Sequence, residues 1–346
     1  MKKFLPVFLL LTIIGATLKA QDINSDPGAY MNVMGEAQTT MNKSYMAYIS
    51  ASAHSSRKRK IEKLREQAVE SIQYCQNTIN NMTPYKGDNS LRKSAITYVD
   101  LCYKVFNDDY AHIVNMEDIA EQSYDEMQAY LLLQQATDDT LQVAIKRINK
   151  AQQDFADKYQ VKLIEEKTEL GDKMAATNRL NDYRNKVYLI FYKCNWEDNQ
   201  LTDFVNQKNV TKIEQVRSAL DKYSLEGLAK LDTLHPFDND ASIVNACKQA
   251  LEFYKSEAET GIPVVTDFFL KQENFDKLKA TMDAKSDSQR TQQDVDTYNK
   301  AVNDLNAAVN AFNQNNDTMN NARADATNIW NNTEKAFIDT HTPYYK

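Results

Sequence analysis

The side chains best spaced to hold a metal are Asp108, Asp109, His112, Glu117, Asp118 and Glu121. Asp109 stands three before His112, the spacing that di-iron helical bundles use in their Glu-x-x-His pairs, where acids and imidazoles from facing helices share two ions. A second Glu-x-x-His is missing, and the other histidines are His54, His235 in a turn, and His341 near the end. A full ligand set is hard to assemble from these, so we assign no metal and read His112 as a helix-end residue among surface acids. Haem has no Cys-x-x-Cys-His to attach to, phosphate has no glycine-rich cradle, and no Gly-x-Ser-x-Gly or glycine-flanked cysteine offers a nucleophile. The expectation is a protein that is not an enzyme, with no catalytic residue, no cofactor and no cofactor-binding residue that can be named.

Cysteines and basic residues also read as structural. Cys75, Cys102, Cys194 and Cys247 all lie in helical periodic segments and are not spaced as a disulfide framework. Cys75 and Cys102 flank one turn at unequal distances, about 10 Å and 18 Å of helix, a poor match for bridging. We read all four as buried free thiols. The dense basic cluster Arg57, Lys58, Arg59, Lys60, Lys63 and Arg65 is interleaved with Glu62, Glu66 and Glu70, which describes a solvated helix face. The net charge of −7 becomes −10 once Lys2, Lys3 and Lys19 are removed with the leader described below. Such a surface repels nucleic acid and anionic lipid, so no nucleic-acid partner is expected.

The elements that carry these residues are long helices. Seven glycines and six prolines in 346 residues leave little turn chemistry for an all-β fold. Apolar residues step by three and four along Ile61, Leu64, Ala68, Ile72, Cys75, Ile79 and Met82. A second stripe runs through Ala120, Tyr124, Met127 and Leu131 to Leu141, Ile145, Ile148 and Phe155, broken at Gln134 and Asp138. A third is Leu180, Tyr183, Val187, Ile190, Cys194, Leu201 and Val205, widened by Tyr188, Phe191, Tyr192 and Trp196. The longest runs from Val295 through Phe312, Asn316 and Trp330 to Phe337. Stripes of this length predict antiparallel helices packed at a shallow angle, hence an all-α fold of tandem helical bundles.

Two corners repeat at an offset of 152 residues. Pro84, Tyr85, Asp88 and Ser90 correspond to Pro236, Phe237, Asp240 and Ser242, and the helices that follow align Leu91 with Ile243, Ala95 with Cys247, Val99 with Leu251 and Cys102 with Tyr254. This predicts an internal duplication, with units over about 30–165 and 170–340 meeting near Gly171. The domains expected are a leader at 1–20, a first bundle at 21–168 and a second at 169–346. The leader reads as a secretory signal peptide: Lys2 and Lys3, an apolar run from Phe4 to Ile14, and Ala20 at the cut before Gln21. That run is too short for a permanent membrane anchor, and no cysteine sits at the cut to take a lipid.

Three stretches carry a resemblance: His54 to Arg65, Met82 to Arg92, and Asn107 to Tyr130 with its Asn-Asp-Asp-Tyr and Val-Asn-Met-Glu-Asp-Ile-Ala-Glu-Gln-Ser-Tyr-Asp. Together they resemble a family of uncharacterised exported surface proteins of spirochaetes and Bacteroidetes, most closely over about 30–165. The resemblance implies export and a cell-envelope location, and brings no activity, cofactor or catalytic residue. In a chain of the Bacteroidetes kind, Asp-Thr-Leu at 139–141 and 232–234 and Asp-Thr-Met at 317–319 look like that group's O-glycosylation sequon, with Thr140, Thr233 and Thr318 as acceptors; a pattern this loose occurs about once by chance in such a chain.

The leading expectation is therefore an exported module, periplasmic, on the outer surface or secreted, whose helical faces meet an envelope protein or a glycan. Nineteen tyrosines and two tryptophans supply side chains suited to a wet apolar interface, with Tyr45, Tyr48, Tyr98, Tyr103, Tyr344 and Tyr345 as candidates. The alternative is a bundle that holds a small apolar ligand or cofactor between its helices, for which the polar breaks Gln134, Asp138 and Asn316 are the motive. Against it stands the use of one buried amide to set helix register.

Overall fold

A computed structural model describes residues 23–109, 123–163 and 168–345. The leader and His112 lie outside the described residues, as do the side chains of Asp109, Gln134 and Asp138. The described residues are helical, without named strands: α1 Pro27–His54, α2 Lys58–Asn81, α3 Ser90–Tyr103, α4 Tyr124–Tyr159, α5 Glu169–Asn206, α6 Val210–Asp232, α7 Ser242–Ser256, α8 Ile262–Asp283 and α9 Gln292–His341. None of these helices is long and apolar enough to cross a membrane.

Local chemistry sets the helix ends. At α1, Pro27 occupies the first turn, where its missing N–H costs nothing, and Asp26 Oδ1 accepts from Gly28 N at 2.7 Å and Ala29 N at 3.1 Å. Ser123 caps α4 by accepting from Glu126 N at 3.0 Å, while Asp125 and Glu126 face the positive end of the helix dipole. Gln160, in the left-handed region at φ 55°, closes that helix.

The chain forms two compact units, 1–185 with 338–346, and 186–337. Their borders fall inside α5 and α9. In the first unit α1 is buried around most of its girth, through Tyr30, Met34, Met41, Tyr45, Met46 and Ile49. Around it lie the stripes Ala68, Ile72, Cys75 and Ile79 of α2, Leu91, Ala95, Val99 and Cys102 of α3, and Leu141, Ile145, Ile148 and Phe155 of α4. Phe155 is the centre of an aromatic nest, 5.7 Å from Tyr30 and 5.5 Å from Tyr85 between ring centroids. Aromatic pairs at such spacings add about 0.5–1.5 kcal/mol each beyond their buried area.

In the second unit Trp330 is fully buried and stacks on Phe191 at 4.2 Å. Gly227 of α6 is a forced choice: a Cβ there would stand 2.7 Å from Leu251 Cδ1 and 2.9 Å from Ile190 Cγ2, closer than side chains tolerate. Helices α8 and α9 run in opposite directions as a hairpin, with Phe268 on Phe312 at 4.5 Å and, nearer its tip, Lys285 bonded to Asp294 at 2.7 Å.

Several landmarks recur 152 residues apart. Helices α1 and α5 end at His54 and Asn206; α2 and α6 begin at Lys58 and Val210; α3 and α7 begin at Ser90 and Ser242. The two corners share a backbone conformation, with left-handed residues at Lys86 and Gly87 and again at Asp238 and Asn239. Each closes a tight turn by a 2.8 Å hydrogen bond, Asp88 N to Tyr85 O and Asp240 N to Phe237 O. Two successive left-handed residues define the hairpin turn for which Gly, Asn and Asp are suited. The aspartate then uses Oδ1 to accept from the N–H of the first helical residue, Ser90 at 2.9 Å or Ser242 at 2.7 Å. A π-helical turn follows each helix, at Lys104–Asp109 and Glu257–Gly261.

Candidate functional site

The π-helical turn of the second unit lies just before a proline. Helices α7 and α8 follow one another without a break, and Pro263 stands in the first turn of α8. A proline inside a continuous helix lacks the N–H for the regular bond and crowds the carbonyl four residues back. Widening the turn relieves this, and Ile262 N bonds to Glu257 O five residues back. Glu257, Ala258 and Gly261 all face the interior of the widened turn's surroundings. At Gly261 the neighbouring helix comes so close that a Cβ would lie 3.0 Å from Met319 Sδ, and Asn315 Nδ2 donates to Gly261 O at 3.1 Å.

Glu257 there joins a charged cluster. Its side chain is 2% exposed, and Asp198 of α5 is 3% exposed. Arg323 of α9 donates from Nε to both oxygens of Asp198, at 2.8 and 3.0 Å, and from a terminal nitrogen to Glu257 Oε1. Its other terminal nitrogen donates to Asn320 Oδ1 at 2.8 Å, and the guanidinium lies 5.8 Å from the Phe253 ring centre. Beside the cluster the Tyr254 hydroxyl donates to Asn195 Oδ1 at 3.1 Å.

Two carboxyl groups against one guanidinium leave an imbalance that protonation corrects. Burial, and then the Asp198 charge, push Glu257 up to about 9, while Arg323 pulls the other way. Glu257 Oε2 is buried without a donor among the described residues, a poor setting for a second negative charge. A neutral Glu257 is an acid of the kind catalytic sites use. Here both carboxyl side chains are nearly inaccessible and Arg323 donates to both of them and to Asn320, so the cluster ties together α5, α9 and the π-helical turn.

A second constellation, in the first unit, is built on His54 at the end of α1. Nδ1 lies 2.9 Å from Asp339 Oδ1 and Nε2 lies 3.0 Å from the Thr342 carbonyl oxygen, while the ring stacks on Tyr344 at 3.6 Å between centroids. The main chain at Tyr345 donates to Ser50 Oγ at 2.9 Å, so the C-terminal residues are tied along α1. A histidine–carboxylate pair is two thirds of a nucleophile relay, but a main-chain carbonyl stands where a hydroxyl or thiol would be needed.

The structure distributes the residues singled out in the sequence differently. Tyr45, Tyr48 and Tyr98 are core residues at 1–2% exposure and are not interface side chains; Tyr45 and Tyr48 lie on the interior helix α1, and Tyr98 lies on the buried face of α3. Tyr103 and Tyr345 are half-buried and Tyr344 is exposed. Asn316 is half-buried on α9, and the basic cluster from Arg57 to Lys63 is solvent-exposed, with Arg65 paired to Glu62 at 2.8 Å. Thr140, Thr233 and Thr318 are exposed, and each hydroxyl donates to a carbonyl of its own helix, at 2.8, 2.7 and 2.9 Å. All four cysteines are buried and unbridged. Burial pushes Cys75 and Cys194 up to about 12, which makes them poor nucleophiles. No group of three or more metal-ligating side chains occurs among the described residues.

Sequence reasoning passed over Asp198, Glu257, Arg323 and the His54–Asp339 pair. Arg323 is 125 residues from Asp198 and His54 is 285 from Asp339, so no local spacing announces either group. The local sign that did exist is Pro263 inside an uninterrupted helical pattern, which marks Glu257–Gly261 as irregular. Comparisons with protein-family models, with curated proteins and with solved structures found nothing that matches this chain.

Proposed function

We propose that this is an exported cell-envelope protein without an enzymatic activity of its own, made of two tandem antiparallel helical bundles that arose by duplication, whose helical faces meet an envelope protein or a glycan. The observation that carries the non-enzymatic reading is that its most reactive-looking groups are engaged with one another: Asp198 and Glu257 both accept from Arg323, and both nitrogens of His54 lie against Asp339 and Thr342. Duplication is supported by the helix ends, helix starts and hairpin turns that recur at one offset of 152 residues. Export is supported by the leader-like first twenty residues and by the resemblance to exported surface proteins.

The test is made on intact cells of the source. Mass spectrometry of the purified chain should give an N-terminus at Gln21. Protease added outside the cells, or osmotic release of the periplasm, should reach the protein. An uncut chain beginning at Met1 and confined to the cytosol overturns the reading. Cross-linking in the same cells should then capture a repeated envelope protein or glycan partner on the exposed helical faces.

A further inference from the structure

We infer that the groove between α3 and α4 of the first unit binds a single long-chain carboxylate, its head at Lys93 and Arg147 and its alkyl chain along α4. The groove is open along one side and has a volume of about 570 Å³, within the range of small-ligand sites. It is lined along its length by Tyr98, Leu101, Val143 and Ala144. The hydroxyls of Ser94 and Thr97, which also line it, are turned back to the carbonyls of Ser90 and Lys93 at 3.1 and 3.0 Å, leaving the floor little hydrogen-bonding demand.

The groove has a direction. Asp88, just before α3, accepts from Lys158 at 2.7 Å and from the Tyr159 hydroxyl at 3.2 Å, both at the end of α4, so the two helices run in opposite senses. Lys93 and Arg147 therefore lie toward the Asp88 end. Neither side chain has a hydrogen bond or ion pair with another described residue, although both are exposed at the rim of an apolar floor. Asp139 lines the opposite end, where its charge repels a second anion and orients an amphiphile head-first toward the two cations.

Past Asp139 and Thr140, α4 exposes further apolar side chains. Val143 is 47% exposed, and one helical face further on Leu132 is 62% and Leu133 43% exposed. From Arg147 to Leu132 the helix advances about 22 Å, the scale of a long alkyl chain rather than of a compact metabolite. Exposed large apolar side chains in line with a cationic end are the pattern that an amphiphilic anion completes. This inference stands on the groove and does not depend on export or on a protein partner.

Isothermal titration calorimetry of the purified chain with dodecanoate, kept below its micelle concentration, tests it, with dodecanol as the neutral analogue. We expect saturable one-to-one binding of dodecanoate that weakens as salt is raised. The double variant Lys93→Ala/Arg147→Ala should bind dodecanoate about tenfold more weakly and dodecanol as before, since it removes two charge-assisted contacts and no floor. Val143→Asp should weaken both ligands. All three positions are exposed, and unchanged melting by circular dichroism checks that the variants fold. Leu270→Asp, at an exposed apolar position of the second unit, should leave binding untouched. No heat or no saturation up to 1 mM (about −4 kcal/mol), equal affinity in all variants, or pelleting with phosphatidylglycerol vesicles in place of binding the monomeric carboxylate each overturn the inference.

Discussion

Where the first unit buries Met46 and Val105, the second, 152 residues on, buries Asp198 and Glu257. The surrounding landmarks agree: the same hairpin turn, the same start of the following helix, and a π-helical turn after it. At positions 152 residues apart, under matching local landmarks, the interior is thus built in two ways, an apolar one and an ionic one. The apolar solution needs only volume. The ionic one needs a third partner, Arg323, delivered from α9. Removing one member of a buried ionic set strands the rest, whereas replacing the whole set by packed apolar groups is often neutral or stabilising.

Arg323→Met should therefore have the largest effect, a loss of about 3–5 kcal/mol of stability in urea denaturation. The triple change Asp198→Met, Glu257→Val and Arg323→Leu imitates the first unit and should cost nothing or gain up to about 4 kcal/mol. If the triple variant is as unstable as the single one, the positions are not equivalent and the comparison breaks.

Acid–base behaviour sharpens the same contrast. Glu257 is raised from 4.5 to about 9 in the folded chain, so between these values the folded state holds a proton that the unfolded state has lost. Its contribution is complete below pH 4.5 and declines as pH rises toward 9. Glu257→Gln should flatten that decline in a series of urea melts across this range. A wild-type slope indistinguishable from that of the Gln variant would show that Glu257 is not held neutral.

A smaller effect belongs to the first unit alone, where the C-terminal residues are tied to α1. His54→Ala removes two hydrogen bonds and the stack on Tyr344, and should cost about 2 kcal/mol. Limited proteolysis should then cut the chain faster after Phe337. Unchanged cleavage and stability would mean that Tyr345 and its bond to Ser50 hold the tail without the histidine.

The least effect is expected at the corners. Hydrogen bonds from Lys158 and Ser90 hold the Asp88 carboxyl well below the usual carboxylate range, so its stabilisation is present above about pH 4 and is lost as pH falls further. Asp88→Asn should cost about 1 kcal/mol, the size of a lost helix cap. Asp240→Asn tests the matching cap on Ser242 and should cost no more than this. A larger loss at Asp240 would reverse the order of the two corners.

Helical stripes were legible wherever a helix has one dry and one wet side. Ala68, Ile72, Cys75 and Ile79 are buried as their spacing predicts. The stripe of α9 is less complete: its members Val295, Phe312, Asn316 and Ala326 are only half-buried, and full burial comes at Trp330 and Phe337. Helix α1 left no stripe to read because it is covered nearly all round, and apolar periodicity vanishes when every side faces protein. The same covering turned Tyr45 and Tyr48 into core residues. A tyrosine's type fits an interface and an interior equally, and only its neighbours decide between them.

By itself the sequence determined the all-helical build and the places of the two corners, because helix propensity and turn chemistry act over a few residues. Tertiary structure alone decided which helix lies at the centre, that Arg323 meets Asp198 and Glu257, that His54 clasps the chain's end, and that an apolar groove opens between α3 and α4. Those outcomes depend on side chains up to 285 residues apart, whose meeting follows from packing and from the need to satisfy buried charge. No short-range pattern encodes that need.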